Sequence, residues 1–250
     1  GLNPDLPFSY YEELLRWMKT EFPGLHIHAF SPTEISFFRD YYGLALDEVL
    51  HRLMDAGLDS IPGGGAEILS DRVRQKISPL KTPADDWIDI MRAAHGLGLR
   101  TTATMVIGLI ETHAERVEHL RRLRDLQDET GGFTAFIDWT FQSANINRRD
   151  KFAGAFEYLK TTAIARLYLD NIPNIQASWV TQGDKIAQLS LLMGVNDLGS
   201  LMLEENVVSA AGTQYEYSKE ELRRLAEEAG FNLRQRNFFY EPYSPSAGQG

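Results

Sequence analysis

The chain has 250 residues, 43% of them hydrophobic, enough to bury a full core as one α/β barrel or as two small domains, and one globular unit is the default. Its 25 basic and 35 acidic residues leave a net charge of −10 without any Lys/Arg-rich block, which disfavours nucleic-acid binding. No apolar run approaches the roughly 20 residues of a membrane span and no signal-peptide pattern opens the chain, so a cytoplasmic protein is expected; the lack of cysteine excludes disulfides, thiolate metal sites and thiol catalysis within these residues.

The first residue is glycine, and "GLNPDLPFSYYEELLRWMKTEFPG" reads as a loop entering a helix. A domain with no strand before its first helix is expected to lack its beginning. From there helix and strand alternate. The helix-periodic "YYEELLRWMKTEF" precedes strand-like "LHIHAFS", "ALDEVLHRLMDAG" precedes "LDSIPGG", and "ADDWIDIMRAAHGLG" precedes "LRTTATMVIG". "AERVEHLRRLRDLQDETGG" leads to "FTAFIDWTFQ", "FEYLKTTAIARLYLDN" to "NIQASWV", and "DKIAQLSLLMG" to "NDLGSLM". A last helix, "SKEELRRLAEEAG", starts on a serine cap with an acidic first turn and stops at a glycine. This makes six strands and seven main helices.

Such alternation predicts a parallel sheet, doubly wound or closed. The strand faces choose between the two. In "FTAFIDWTFQ" Thr134, Asp138, Thr140 and Gln142 share one face by strict alternation, Thr102 and Thr104 share one in "RTTATMV", and Gln176 and Ser178 share one in "NIQASWV". A sheet covered by helices on both sides is apolar on both, so the polar face predicts the lining of a barrel that holds a polar ligand. The expected fold is an incomplete (β/α)8 TIM-type barrel over residues 1–240, lacking two N-terminal strands, with a disordered tail at 241–250.

Ligands of such barrels sit at the C-terminal ends of the strands. The triple glycine Gly63, Gly64 and Gly65 falls at one of these ends, followed by Glu67. It is either a flexible turn or a close backbone approach to a ligand, and it has neither Walker nor dinucleotide spacing. His26 and His28 share a strand face, which suits a metal pair, a substrate contact or a hydrogen-bonded structural role. No later strand supplies a further histidine: His51, His95 and His119 fall in helices, and His113 follows "GLIET". Gly108 ends a strand with Glu111 just beyond, and Asn196, Asp197, Glu204 and Glu205 lie around the last strand.

Six ordered segments, "HIHAFSPTEI", "GLDSIPGGGAEIL", "TTATMVIGLIET", "FIDWTFQ", "IQASWVTQG" and "NDLGSLMLEENVVSAAG", resemble the radical S-adenosylmethionine (SAM) enzymes of the futalosine route to menaquinone, the cyclase branch above all. Aminofutalosine synthase and the deazaflavin-cofactor (FO) synthase subunit share "GGGAEI". The resemblance implies a reduced 4Fe–4S cluster, S-adenosylmethionine as the radical source, an external electron donor, and hydrogen abstraction from a small-molecule substrate whose carbon radical adds to a benzoate ring. It places Gly1, Gly63, Gly64, Gly65, Glu67, Gly108 and Glu111 near the cofactor, and His28, Ser31 and Glu34 at the substrate. Thr140 and Gln142 join them by the face argument alone, and His28, Glu67 and Asp138 are the candidates for the catalytic base. The chain departs from the family pattern at Leu109, Asp138, Ser143 and Ala144, and in having no CxxxCxxC loop. A cluster-less binding module and a metal-dependent hydrolase built on His26 and His28 are the competing readings.

Overall fold

The computed structural model describes residues 2–142, 153–201, 215 and 217–243. Four strands, β1 (Ser60–Ile61), β2 (Arg100–Ile107), β3 (Phe133–Thr140) and β4 (Asn174–Gln176), form one parallel sheet in chain order. His28 bridges to Ser60 on one side of it and Asp197 to Gln176 on the other, both parallel. All six expected strand positions therefore lie side by side in sequence order. "LHIHAFS" and "NDLGSLM", however, contribute single bridges instead of regular strands. This sequential parallel arc is the topology of a partial (β/α) barrel.

The expected helices are present as α1 (Phe8–Glu21), α3 (Leu46–Ala56), α5 (Ala84–Gly96), α6 (His113–Thr130), α7 (Ala155–Tyr168), α9 (Asp184–Leu192) and α10 (Lys219–Glu228). Three others were missed: α2 (Pro32–Tyr42), α4 (Asp71–Ile77) and the single turn α8 (Trp179–Gln182). The signal for α2 was in the string Ser-Pro-Thr-Glu. Ser31 is the N-cap, Pro32 the first helical residue, and the Glu34 carboxylate accepts from the Ser31 backbone N–H at 2.8 Å, a capping box.

Helices pack on one face of the sheet through Ala103, Met105 and Ile107 of β2, Phe136 of β3 and Ile175 of β4, which join Leu120, Leu123 and Ala165 from α6 and α7 in one core. The β2–β3 register corrects the expected lining. Thr101 pairs with Phe133 but Thr102 pairs with Ala135, so Thr134 is an extra residue, a β-bulge that inverts the face of everything after it. Asp138, in register with Met105, therefore points at the helices. Ile137 and Trp139, in register with Thr104 and Val106, take the barrel interior.

The C-terminal segment closes the N-terminal ends of the strands. Phe238 stacks on His26 with ring centroids 4.0 Å apart, Arg236 grips Asp197 with two guanidinium nitrogens, and the Tyr240 hydroxyl reaches Gln176 Oε1 at 3.4 Å. Of the expected tail, residues 241–243 turn back on this segment through the Arg236–Pro242 bridge, and 244–250 lie outside the described residues.

Candidate functional site

At the C-terminal end of β1 the chain leaves the sheet as the glycine loop and rejoins it at Glu67, whose carbonyl accepts from Val106 N at 2.9 Å. The loop is bound to β2 along its length. Gly63 N donates to Thr102 Oγ1 (3.0 Å) and Thr104 Oγ1 donates to Gly63 O (2.5 Å). A Cβ on Gly63 would lie 2.4 Å from the Thr102 carbonyl oxygen, one on Gly64 would meet Ser31 at 3.2 Å, and one on Gly65 would meet Thr33 Oγ1 at 2.3 Å. The side of each glycine that a side chain would occupy is thus filled by the protein itself. The glycines let the loop lie against a strand and a helix N-terminus.

Two residues that sequence reasoning missed hold this loop from behind. Arg74, almost fully buried on α4, donates to the carbonyls of Gly65, Ala66 and Thr82. Trp87 Nε1 donates to Gly64 O at 3.2 Å. Nothing in the local pattern marks either: Arg74 stands in the largely charged "DRVRQKI" and Trp87 among the apolar positions of α5, and the role of each is set by what lies opposite. Glu67 has a φ of +44°, a conformation costly for a non-glycine residue, and its carboxylate pairs with Lys81.

The β2 end is set by Glu111. Its carboxylate accepts from Gly108 N and Leu109 N, both at 2.8 Å, and pairs with Arg116 at 2.8 Å. Arg116 in turn donates to Glu157 on α7 at 2.8 Å, and the neighbouring cations hold the Glu157 carboxyl down at about 2. Gly108, at φ +87°, and Glu111 thus form one fixed turn whose carboxylate is engaged by the protein. The exposed His113 lies on the outside of this ion-pair group, 3.4 Å from Glu157.

Over the ends of β3 and β4, Thr140 Oγ1 receives hydrogen bonds from Gln142 Nε2 (3.0 Å) and Gln182 Nε2 (2.7 Å), and Gln182 also reaches Thr181 Oγ1 (3.0 Å). Thr140, in register with Ile107, lies on the face of Asp138 and points away from the interior, which corrects the expected place of Thr140 and Gln142 in the cavity lining: Gln142 and Gln182 instead close over the Thr140 hydroxyl at the ends of the strands. Gln182 was missed because "NIQASWV" was read as a strand to its end, whereas its last two residues already begin α8. Ser143, Ala144, Glu204, Glu205 and Gly1 lie outside the described residues.

The three candidates for a base stand in separate surroundings. Asp138 is fully buried against α7, with Thr162 Oγ1 3.1 Å from both carboxylate oxygens, and burial pushes its carboxyl up to about 7. It does not line the cavity. Glu67 is held by Lys81. His28 lies at the floor, its Nδ1 2.7 Å from Ser60 Oγ, and burial holds it at about 4. Ser31 and Glu34 are engaged with each other in the α2 cap.

Comparison with known proteins fits this partial barrel. Residues 1–123 match the profile of the Radical SAM superfamily and residues 130–247 that of the CofH/MqnC C-terminal region. The chain is 49% identical over 242 residues to a cyclic dehypoxanthine futalosine synthase of Halalkalibacterium halodurans, covering 96% of this chain and 65% of that one. It is 45% identical to an aminodeoxyfutalosine synthase of Thermus thermophilus (92% and 64% covered). A 5-amino-6-(D-ribitylamino)uracil--L-tyrosine 4-hydroxyphenyl transferase of Methanopyrus kandleri is 42% identical (97% and 68% covered).

The chain belongs to the Radical SAM superfamily. The crystal structure of methylornithine synthase (PylB) superposes with a TM-score of 0.67 at 19% identity, over 91% of this chain and 64% of that one, which shows the barrel fold. Radical SAM proteins use a 4Fe–4S cluster with S-adenosylmethionine. The 250 residues contain no cysteine, and among the described residues no group of three or more His, Cys, Asp or Glu is placed to hold a metal. A 4Fe–4S cluster therefore does not fit on the residues of this chain. No helix of the described residues is long and apolar enough to cross a membrane.

Proposed function

We propose that this chain forms the substrate-enclosing part of a Radical SAM enzyme of the futalosine route to menaquinone, with conversion of dehypoxanthine futalosine to its cyclic product as the reaction. The observation that carries this is the 49% identity, over 96% of the chain, to a relative bearing that name. The site suits it. Val106, Ile137 and Trp139, on the interior face, offer an apolar wall for an aromatic ring, of the kind that shields an enclosed carbon radical. His28 Nε2 is the nitrogen available at the floor to take the ring proton lost when aromaticity is restored. An external one-electron donor completes the set of partners.

The chain spans 65% and 64% of the two futalosine-named relatives, so the test supplies what this stretch lacks. The part of the Halalkalibacterium protein outside the aligned 242 residues is fused to this chain, reconstituted anaerobically, and offered each of three substrates: dehypoxanthine futalosine, the precursor of aminodeoxyfutalosine, and the ribitylaminouracil with tyrosine. Mass-spectrometric detection of the cyclic product alone is expected. Turnover of either other substrate instead replaces the cyclase reading. Binding of dehypoxanthine futalosine without turnover of any favours the second reading, a cluster-less binding module, for which the absence of cysteine speaks.

A further inference from the structure

Two imidazoles meet one hydroxyl at the floor of the barrel. His26 Nε2 and His28 Nδ1 each lie 2.7 Å from Ser60 Oγ, Ser60 is fully buried, and these nitrogens are the partners of its hydroxyl among the described residues. A hydroxyl has one proton to give and two lone pairs to receive. If both nitrogens carried protons, Ser60 would accept twice and its own proton would be buried without an acceptor, which is costly. If neither did, one bare nitrogen would face a lone pair at hydrogen-bond distance. The arrangement that satisfies all three groups has one nitrogen donating to Ser60 and Ser60 donating to the other. Such a chain has a direction, which can reverse by shifting each proton along it.

Both ends of the chain are open. His28 pairs with Ser60, and Ser60 with Arg100, which puts them on the same face of the sheet as Thr102 and Thr104, the interior face. His28 Nε2 has no partner among the described residues and is not among the buried unpaired atoms, so it is accessible to a molecule in the lumen. At the other end His26 is half-buried. Its ring lies flat on Phe238, at 15°, with Phe239 edge-on at 5.1 Å, and its Nδ1 also has no partner among the described residues. Phe238 contacts both imidazoles and covers ring surface, while the half-buried His26 keeps part of its ring in reach of water. The charged groups near His26 are Lys19 and Asp59, 2.5 Å apart and paired to each other. Burial lowers the affinity of both imidazoles for an extra proton, so at neutral pH each ring keeps one N–H and one bare nitrogen, the state a relay needs.

We propose that His28, Ser60 and His26 form a proton path through the floor of the barrel, taking a proton from the substrate at His28 Nε2 and releasing one to solvent at His26 Nδ1. The substrate's C–H bond breaks with its electron pair left on the substrate. The proton binds His28 Nε2, the His28 Nδ1 proton passes to Ser60 Oγ, the Ser60 proton passes to His26 Nε2, and the His26 Nδ1 proton leaves to water. One proton enters, one leaves, and no electron moves through the path. Its use in turnover rests on the cyclase reading; its existence does not.

The first test is made on the 250-residue chain. In two-bond 15N–1H correlation spectra at pH 7, the two nitrogens that face Ser60 are expected to be in opposite states, one protonated and one bare, and Ser60→Ala is expected to change the tautomer of at least one ring. Finding both nitrogens protonated, or tautomers indifferent to Ser60→Ala, would overturn the path. The second test uses the fused protein described above. Ser60→Ala is expected to lower kcat by about 10-fold or more with KM unchanged, and Ser60→Thr, which keeps the hydroxyl, to restore it. An unaltered kcat would show that the reaction does not use the path. An inactive parent fusion counts against the cyclase reading alone and leaves the spectroscopic result standing.

Discussion

Asp138 shows how far a single side chain can depart from its sequence reading. The Thr162 hydroxyl lies 3.1 Å from both Asp138 oxygens and 3.0 Å from the Tyr158 carbonyl oxygen, yet it has one proton. When that proton goes to Tyr158, a protonated Asp138 can serve as the donor, and burial, which pushes its carboxyl up to about 7, favours that form below neutrality. The linkage sign follows from a folded value raised above the ordinary 3.8. Between about pH 4 and pH 7 the folded state retains a proton that the unfolded state releases, so stability falls as pH rises through that window, by up to about 1.4 kcal/mol per pH unit, and levels off above it. Asp138→Asn keeps the shape and removes the titration. Thermal melts are expected to show the variant more stable than the parent at pH 8 and nearly equal at pH 4; a parent advantage at pH 8 would mean that Asp138 is ionised and well solvated. Of the other candidates, Gly63 and Glu111 have partners within the protein, Thr102 and the Gly108 and Leu109 amides, that sequence spacing does not reveal.

At the scale of elements, the alternation of helix and strand was legible because apolar periodicity survives in each segment. The missed helices lie in connections, where loop chemistry and helix caps use the same residues: α2 follows the His28 bridge, α8 follows β4, and α4 follows the glycine loop. Ser31 illustrates this: its place in "FSPTEI" suits a substrate contact and an N-cap alike, and the structure uses it as the cap. Ser31→Ala is expected to lower unfolding free energy by about 1 kcal/mol in urea titration, while Ser31→Asp leaves it nearly unchanged. An equal loss in both would point to a demand on Ser31 beyond the helix start, such as its contact with Gly64. The face of β3 was not legible, because one bulged residue, Thr134, inverts the alternation, and strict period-two counting cannot see a bulge.

Across the whole molecule, the six strand positions form an arc whose N-terminal ends are tied by residues 236–242. Arg236 holds Asp197 at one end of the arc, and Phe238 covers His26 and His28 at the other. Asp197 is largely buried, so losing its partner leaves a poorly hydrated charge, and Arg236 also packs over the Tyr240 ring at 3.8 Å. Arg236→Ala is expected to cost about 3 kcal/mol and to raise amide exchange at both ends of the arc. If only residues near Asp197 exchange faster, the segment is a local clasp and not a tie across the floor.

By itself the sequence determined the parallel barrel class, the order of its strand positions, kinship with Radical SAM proteins, and the lack of any thiolate on which a cluster could be held in these residues. Each of these is carried by composition, by periodicity over many residues, or by a long ordered set of segments. Tertiary structure alone decided that the glycine loop lies against β2, that Asp138 turns toward α7, that Arg74 and Trp87 hold the loop from behind, and that His26, Ser60 and His28 meet. These depend on contacts between residues tens of positions apart, where a fraction of an ångström or one bulged residue chooses which atoms touch, and no local pattern encodes that choice.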